Sequence, residues 1–501
     1  MLFWNRLASR VGTAGRLLAS VHAVPPPRLP AVGRLLRASY VSRTAVSAEN
    51  SKSTADDGQL AFPCVDLLAD RQRALDNGPE PAYDRVVTGY ETYQHQGEFC
   101  LDHGGKLRDF RLAYETWGKL SADRTNAILL HTGLSASSHA RSHEKNLAPG
   151  WWEKFIGPGR PLDTSKFFVI CTNVLGGCYG STGPSSVDPA TGERYATRFP
   201  MITLFDMVRA QFELIDHLGI RRLHASVGAS MGGMQSLAAA AMFPDRVGRL
   251  ITISACARSH PYSIALRHTQ RQVLMSDANW NKGHYYGRVP PHIGMKLARE
   301  IATITYRSGP EWEQRFGRKR ADDTKDPAMC PDFLIETYLD HQGERFCLQY
   351  DANSWLYISK AMDMFDISES AQLCLAEKRR NTHGNNDLWA AQLSAHAKAL
   401  EAIDDNIPTD LTSSADFAAN ERADLARGLG AVQMPTLVLG VQSDLLFPHW
   451  QQREVAESLR AAGNRTVTYY ELDAIYGHDT FLIDVVTVGA AVKGHLENSI
   501  A

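Results

Sequence analysis

A serine set between small residues, Gly228-Ala229-Ser230-Met231-Gly232, has the G-x-S-x-G spacing that lifts a hydroxyl nucleophile onto a sharp strand-to-helix turn. The apolar run Leu223-His224-Ala225-Ser226-Val227 leads in, and Gly233-Met234-Gln235-Ser236 followed by Leu237 and four alanines leads out with helix formers. The chemistry implied is covalent catalysis through Ser230, with free N–H groups at a helix N-terminus holding an oxyanion. Such a nucleophile needs a base, and the base needs a group to fix its tautomer. Asp444 follows the apolar run Thr436–Val441, and His478 follows Val467–Leu472, so both are expected just past strand ends. His131 and His139, after the run Ala127–Leu130, are the alternative bases.

The chain order Ser230, Asp444, His478 is that of α/β-hydrolase-fold enzymes. In that fold the loop after an early strand supplies a second oxyanion amide. Here this is the His131–His139 loop, so the expected donors are the amide of Met231 with that of Gly133 or Leu134.

The surrounding elements agree with an α/β class. Early alternating segments from Val87 through Phe99–Leu101 and Arg111–Tyr114 predict antiparallel strands. Short continuous apolar runs at Ala127–Leu130, Phe167–Cys171 and Leu250–Ser254 predict buried parallel strands, with a helix over Leu204–Leu218. Alternating strands and helices predict a doubly wound sheet. From about Pro261 to Gly430 the alternation gives way to helical, charge-rich sequence such as Met295–Ala302 and Ala390–Ala395, read as a helical lid insertion. The 380–420 stretch reads as loop-rich. The expected organisation is therefore a first core segment over 86–260, the insertion over 261–430 and a second core segment over 431–501.

Composition narrows the function. A net charge of -2 gives no basis for nucleic acid or an anionic membrane as partner, and no run of apolar residues is long enough to span a bilayer. The eight cysteines lack paired zinc-site spacing, so they are expected as free thiols and no metal is assigned. Residues 1–48 carry seven arginines and no acidic residue, the composition of a mitochondrial transit peptide and of a matrix protein. Residues 49–85 are polar and irregular, a linker.

Longer motifs carry a resemblance. Gly150-Trp151-Trp152-Glu153 through Gly159, Asn173-Val174-Leu175-Gly176-Gly177 through Pro184, the Gly228–Gln235 turn, Asp351–Tyr357 and Tyr476-Gly477-His478-Asp479 resemble the homoserine O-acetyltransferase family. The likeness spans roughly 85–370 and 430–495. It implies acyl transfer from an acyl-CoA co-substrate, with no bound cofactor, to the hydroxyl of a small amino acid through an acyl-Ser230 intermediate. It also implies a homodimer through the helical insertion. By motif, the amino acid's carboxylate and ammonium fall to Arg299 and Asp479. The charges suit an α-amino acid, since arginine offers a planar fork for a carboxylate.

Two features depart from the homoserine pattern. The oxyanion loop is one residue longer and reads T-G-L-S-A-S-S-H, so Gly133, Leu134, Ser135, Ala136 and Ser137 form the expected acceptor-specificity loop. This version resembles the branch acting on L-serine, the serine O-succinyltransferases and O-acetyltransferases of cysteine synthesis, with succinyl-CoA the favoured donor. Acetyl-CoA as donor, homoserine as acceptor, or plain ester hydrolysis are the alternatives. The second departure is the longer 370–430 segment.

Overall fold

The computed structural model describes residues 62–383 and 414–498. The segment read as a transit peptide lies outside the described residues, as do Ala390–Ala395 and most of the stretch expected to be loop-rich.

Among the described residues twelve strands form: β1 Glu91–Gln94, β2 Glu98–Cys100, β3 Lys106–Arg108, β4 Arg111–Trp117, β5 Ala127–His131, β6 Ile156–Gly157, β7 Leu162–Asp163, β8 Phe168–Thr172, β9 Ala225–Ala229, β10 Leu250–Ile253, β11 Thr436–Val441 and β12 Val467–Leu472. Eight of them make one sheet in the order β1-β4-β8-β5-β9-β10-β11-β12. The run from β8 to β12 is parallel, and β4 and β1 close one edge antiparallel. The central strands β5, β9, β10 and β11 are buried along their whole length, which is why they read as continuous apolar runs and not as alternating ones. On one face the helices Leu204–His217 and Met231–Met242 pack through Phe205, Phe212, Leu237 and Met234. On the other Trp152, Phe155, Phe481 and Val492 cover Val227, Ile251 and Leu439. Burying each such large side chain contributes about 1.5–3 kcal/mol.

Between β10 and β11 the described residues are helical, and they divide by what they pack against. Tyr285, Met295, Ala298, Phe346, Tyr350 and Trp355 gather into a core of their own. Further on, Ile358, Met362, Phe365, Leu425 and Leu429 join the core beneath the sheet. The segment expected as one lid is thus a cap followed by helices that belong to the main body; a helical pattern alone does not say which surface its apolar face will meet. The two ends of the 380–420 stretch expected to be loop-rich are helical, being the last turn of Glu369–His383 and the first turns of Ser414–Gly428.

Two expectations about the N-terminal part are corrected. Residues Val65–Asp76, read as linker, form a helix with no buried residue, so it lacks the apolar stripe that would betray it in sequence. Polar contacts hold it to the cap together with the half-buried Leu75: Arg71 pairs with Glu344 at 2.6 Å, and Asp76 faces His292 Nδ1 at 3.0 Å. Cys64 and Cys330, expected as free thiols, form a disulfide with Cα atoms 5.9 Å apart, while the other six cysteines are free. A separation of 266 residues leaves no local spacing signature, since only the fold brings the two Cα atoms within disulfide range. Among the described residues no helix is long and apolar enough to cross a membrane.

Candidate active site

β9 runs without a break into Ser230, which has φ 58° and ψ −130°, and the helix Met231–Met242 starts at the next residue. The two glycines exist because the turn is tight. A Cβ at Gly228 would lie 2.0 Å from the Gly232 carbonyl oxygen, and one at Gly232 would lie 2.4 Å from that of His131. The strained backbone at Ser230 aims its side chain away from the sheet. Among the described residues the amides of Met231, Gly133 and Leu134 have no backbone acceptor, so they are free to donate to an oxyanion.

Asp444 and His478 meet as the strand order requires, at the ends of neighbouring strands β11 and β12. His478 Nδ1 lies 2.7 Å from Asp444 Oδ2, which places the proton on Nδ1 and leaves Nε2 for chemistry. The other carboxylate oxygen, Oδ1, accepts from the amides of Leu446 at 2.9 Å and Phe447 at 2.8 Å. One aspartate therefore fixes its own turn and orients the histidine. Ser443 ties the two loops together, its hydroxyl donating to the Ala474 carbonyl and accepting from the Gly477 amide. Phe447 stacks on the His478 ring and Phe481 meets it edge-on. Burial disfavours the imidazolium, but the charge and hydrogen bond of Asp444, aided by Asp479, outweigh it and hold His478 above the ordinary histidine value.

The alternative bases do not compete. His131 Nε2 bonds the Ser226 hydroxyl at 2.8 Å, and burial pushes this ring down to about 3. His139 uses both nitrogens, Nδ1 to Glu115 Oε2 at 2.8 Å and Nε2 to the Ala148 carbonyl at 2.7 Å. His143 Nε2 reaches the same Glu115 oxygen at 2.6 Å. Cysteine spacing gave no sign of this group, whose potential ligand atoms lie within 4.8 Å of one another. Because His143 Nδ1 accepts from the Lys145 amide at 3.2 Å, its proton sits on Nε2 facing Glu115. That is a hydrogen-bonded cluster, and a metal would have to displace that proton.

A cavity of about 270 Å³ joins Ser230 and His478 to Gly133, Leu134, Ser135, Ala136, Arg299 and Asp479. Ser137 is not on its wall. It sits behind, its carbonyl accepting from Trp151 Nε1 at 2.9 Å, because the loop turns inward there. Tyr350 of the cap anchors the same loop by donating to the Leu134 carbonyl at 2.8 Å, and Gln235 of the helix after Ser230 donates to that of Thr132 at 3.0 Å. The loop is thus held from the cap as well as from the core.

Arg299 lies on the helix His292–Tyr306, its guanidinium 4.5 Å from the Phe346 ring centroid and 5.3 Å from that of Tyr306. Its Nε is buried without a partner among the described residues. Asp479 Oδ2 is paired with Arg307 Nε at 3.0 Å, leaving Oδ1 available. Burial raises the Asp479 carboxyl above its usual value, with Arg307, His478 and Arg299 opposing it. Sequence reading passed over Arg307, and also Arg267, Trp355 and Tyr306 on the cavity wall. A single arginine on a polar helix carries no local signal of its partner.

The family model described as the alpha/beta hydrolase fold matches residues 126–484. The chain is 56% identical over 481 residues to the serine O-succinyltransferase of Emericella nidulans, covering 93% of this chain and 92% of that one. It is 56% identical over 483 residues to the serine O-succinyltransferase of Schizosaccharomyces pombe, covering 88% and 95% respectively. Among solved structures, homoserine O-acetyltransferase from Bacillus anthracis matches with a TM-score of 0.65 at 26% identity, covering 82% of this chain and 98% of that one.

Proposed function

Since this chain belongs to the homoserine O-acetyltransferase-like family of α/β-hydrolase-fold enzymes, we propose that it transfers a succinyl group from succinyl-CoA to the hydroxyl of L-serine. The observation that carries the reading is the cavity that gathers Ser230, His478, Arg299, Asp479 and the loop of Gly133 to Ala136 in one enclosure. The fungal relatives named as serine O-succinyltransferases support the choice of donor and acceptor.

The chemistry is two acyl transfers through one serine. His478 Nε2 takes the Ser230 proton as Oγ attacks the thioester carbonyl, and the amide of Met231 with that of Leu134 or Gly133 holds the oxyanion. The C–S bond breaks, and the CoA thiol leaves with the proton from His478. L-Serine then enters, its carboxylate on Arg299 and its ammonium on the open oxygen of Asp479. His478 removes its hydroxyl proton, the new ester forms, and Ser230 recovers its proton.

The assay follows free thiol with purified protein, succinyl-CoA or acetyl-CoA, and serine, homoserine or no acceptor. Thiol release that requires serine and is fastest with succinyl-CoA is the expected outcome. Equal or better use of homoserine overturns the acceptor, faster turnover of acetyl-CoA overturns the donor, and acceptor-independent release makes the protein a hydrolase.

A homodimer through the cap belongs to the same reading. Ile293, Leu297 and Ile304 are each more than two-fifths exposed along one face of the helix His292–Tyr306, the apolar stripe a second copy would cover. Light scattering is expected to give twice the chain mass, and Leu297→Glu to halve it; a monomeric wild type removes the idea.

A further inference from the structure

Glu115 is a buried carboxylate that takes no part in either acyl transfer. It sits on β4, is 3% exposed, and is bonded by the chain that follows the oxyanion loop. The Ser138 hydroxyl donates to Oε1 at 2.8 Å, while His139 Nδ1 and His143 Nε2 donate to Oε2 at 2.8 and 2.6 Å. His139 also reaches the Ala148 carbonyl through Nε2 at 2.7 Å. Both of its partners are acceptors, so the ring makes both contacts only with a proton on each nitrogen, as a cation beside an anion. Hydrogen bonds to ionised groups are about twice as strong as neutral ones, and burial keeps water from replacing them.

Little inside the loop fixes its own shape. From Gly133 to Ser137 the one internal backbone hydrogen bond among the described residues runs from the Ala136 amide to the Gly133 carbonyl at 3.4 Å, near the limit of the interaction. The span is held from outside instead. At its start Gln235 and Tyr350 hold the Thr132 and Leu134 carbonyls by neutral hydrogen bonds. At its end the Ser137 hydroxyl accepts from the His139 amide at 3.2 Å, and the Ser137 carbonyl accepts from Trp151 Nε1. His139 is thus the far post of the loop, and Glu115 sets where that post stands. The amides of Gly133 and Leu134 lie between the two ends, on the wall of the cavity that holds Ser230.

We propose that Glu115 is a positioning residue for the oxyanion hole: by fixing Ser138, His139 and His143 to β4, its carboxylate keeps the amides of Gly133 and Leu134 in place to receive the charge that develops as Ser230 is acylated. This rests on the reading of Ser230 as the acylated nucleophile. No bond forms or breaks at Glu115. A group displaced by about 1 Å from its working position costs on the order of 100-fold in rate. Because oxyanion donors act on the transition state, that cost falls on the acylation rate and not on the binding of the thioester.

The test is the burst of free thiol on rapid mixing with succinyl-CoA and no acceptor, whose amplitude counts working sites and whose rate reports acylation. Glu115→Gln keeps the size of the side chain and the acceptor for Ser138 but turns an N–H₂ toward the two imidazoles. Its limiting burst rate is expected to fall about 10- to 100-fold at an unchanged half-saturating concentration of succinyl-CoA. Ser138→Ala, the milder second variant, removes one hydroxyl and is expected to slow the burst by about 3- to 10-fold. Asp163→Asn is the control, since that carboxylate is as buried as Glu115 but binds the amides of Gly159 and Ser165, and its burst rate is expected to match wild type. p-Nitrophenyl acetate, followed by released nitrophenolate, makes the same comparison without a CoA donor. A wild type acylated by the ester but by neither succinyl-CoA nor acetyl-CoA overturns the functional reading, while the ester still decides Glu115. No burst with any of the three overturns both. An unchanged rate in Glu115→Gln, a loss confined to its amplitude, or an equal slowing in Asp163→Asn overturns only the assignment of Glu115.

Discussion

Ser230→Ala is expected to lower acyl transfer by about a million-fold, the cost found where the nucleophile of a serine triad is removed. The fold should survive. Ser230 is a poor helix cap here, since its side chain makes no capping hydrogen bond, and alanine inherits the same φ of 58° with no added contact to lose. The melting temperature is accordingly expected to stay close to that of wild type. The intermediate gives a sharper measurement: wild type incubated with succinyl-CoA and no acceptor should carry one succinyl group on the peptide containing Ser230, and the variant none. An unchanged adduct in Ser230→Ala, or one located on a cysteine, would show that another group is the nucleophile.

Asp444→Asn is the second large effect, expected to cut kcat by about ten-thousand-fold. The substitution separates two functions of one side chain. Asparagine keeps Oδ1, so the amides of Leu446 and Phe447 retain their acceptor and the turn stays intact. At the other position an N–H₂ replaces the oxygen that receives the His478 proton at 2.7 Å. The ring is driven to the tautomer with its proton on Nε2, where it cannot accept one from Ser230.

The pH profile separates this from simple misfolding. His478 must be neutral to act as base, and its value is held above the ordinary histidine range, so in wild type kcat/KM falls as pH drops through a midpoint above about 6.5. Without the Asp444 carboxylate, burial is left as the leading influence and lowers the value, so the residual activity of Asp444→Asn should persist to more acid pH. Stability runs the other way. A group whose value is raised by folding adds stability in full below its unfolded value, about 6.5, and loses that contribution as pH rises through the folded value. The gap in melting temperature between wild type and Asp444→Asn is thus expected to be wider in acid than in alkali. An acid limb that does not move would refute the pairing of these two side chains.

The triad was legible in the chain because each member sits at the end of its own strand. Apolar runs at Thr436–Val441 and Val467–Leu472 mark β11 and β12 to the residue, and the turn after each must fall at the same edge of a parallel sheet. β9 was placed two residues early, since Gly228 and Ala229 read as turn while their backbone continues the strand into Ser230. Arg299 and Asp479 were legible only through resemblance. Nothing in the periodicity of Met295–Ala302 distinguishes Arg299 from a solvated helix residue, and its stacking on Phe346 spans 47 positions of sequence.

By itself the sequence determined the alternation of strands and helices, the strained corner at Ser230 and the order of nucleophile, acid and base. These follow from short-range rules: side-chain periodicity, turn-forming glycines and the polarity of residues just past a strand. The tertiary structure alone decided which charged and sulfur-bearing side chains would meet. Arg267 meets Asp363 across 96 positions, Arg307 meets Asp479 from another element, and Cys64 meets Cys330 across 266. Whether a polar group is solvated or paired depends on what the rest of the chain brings within 3 Å of it, and burial is what makes that difference matter.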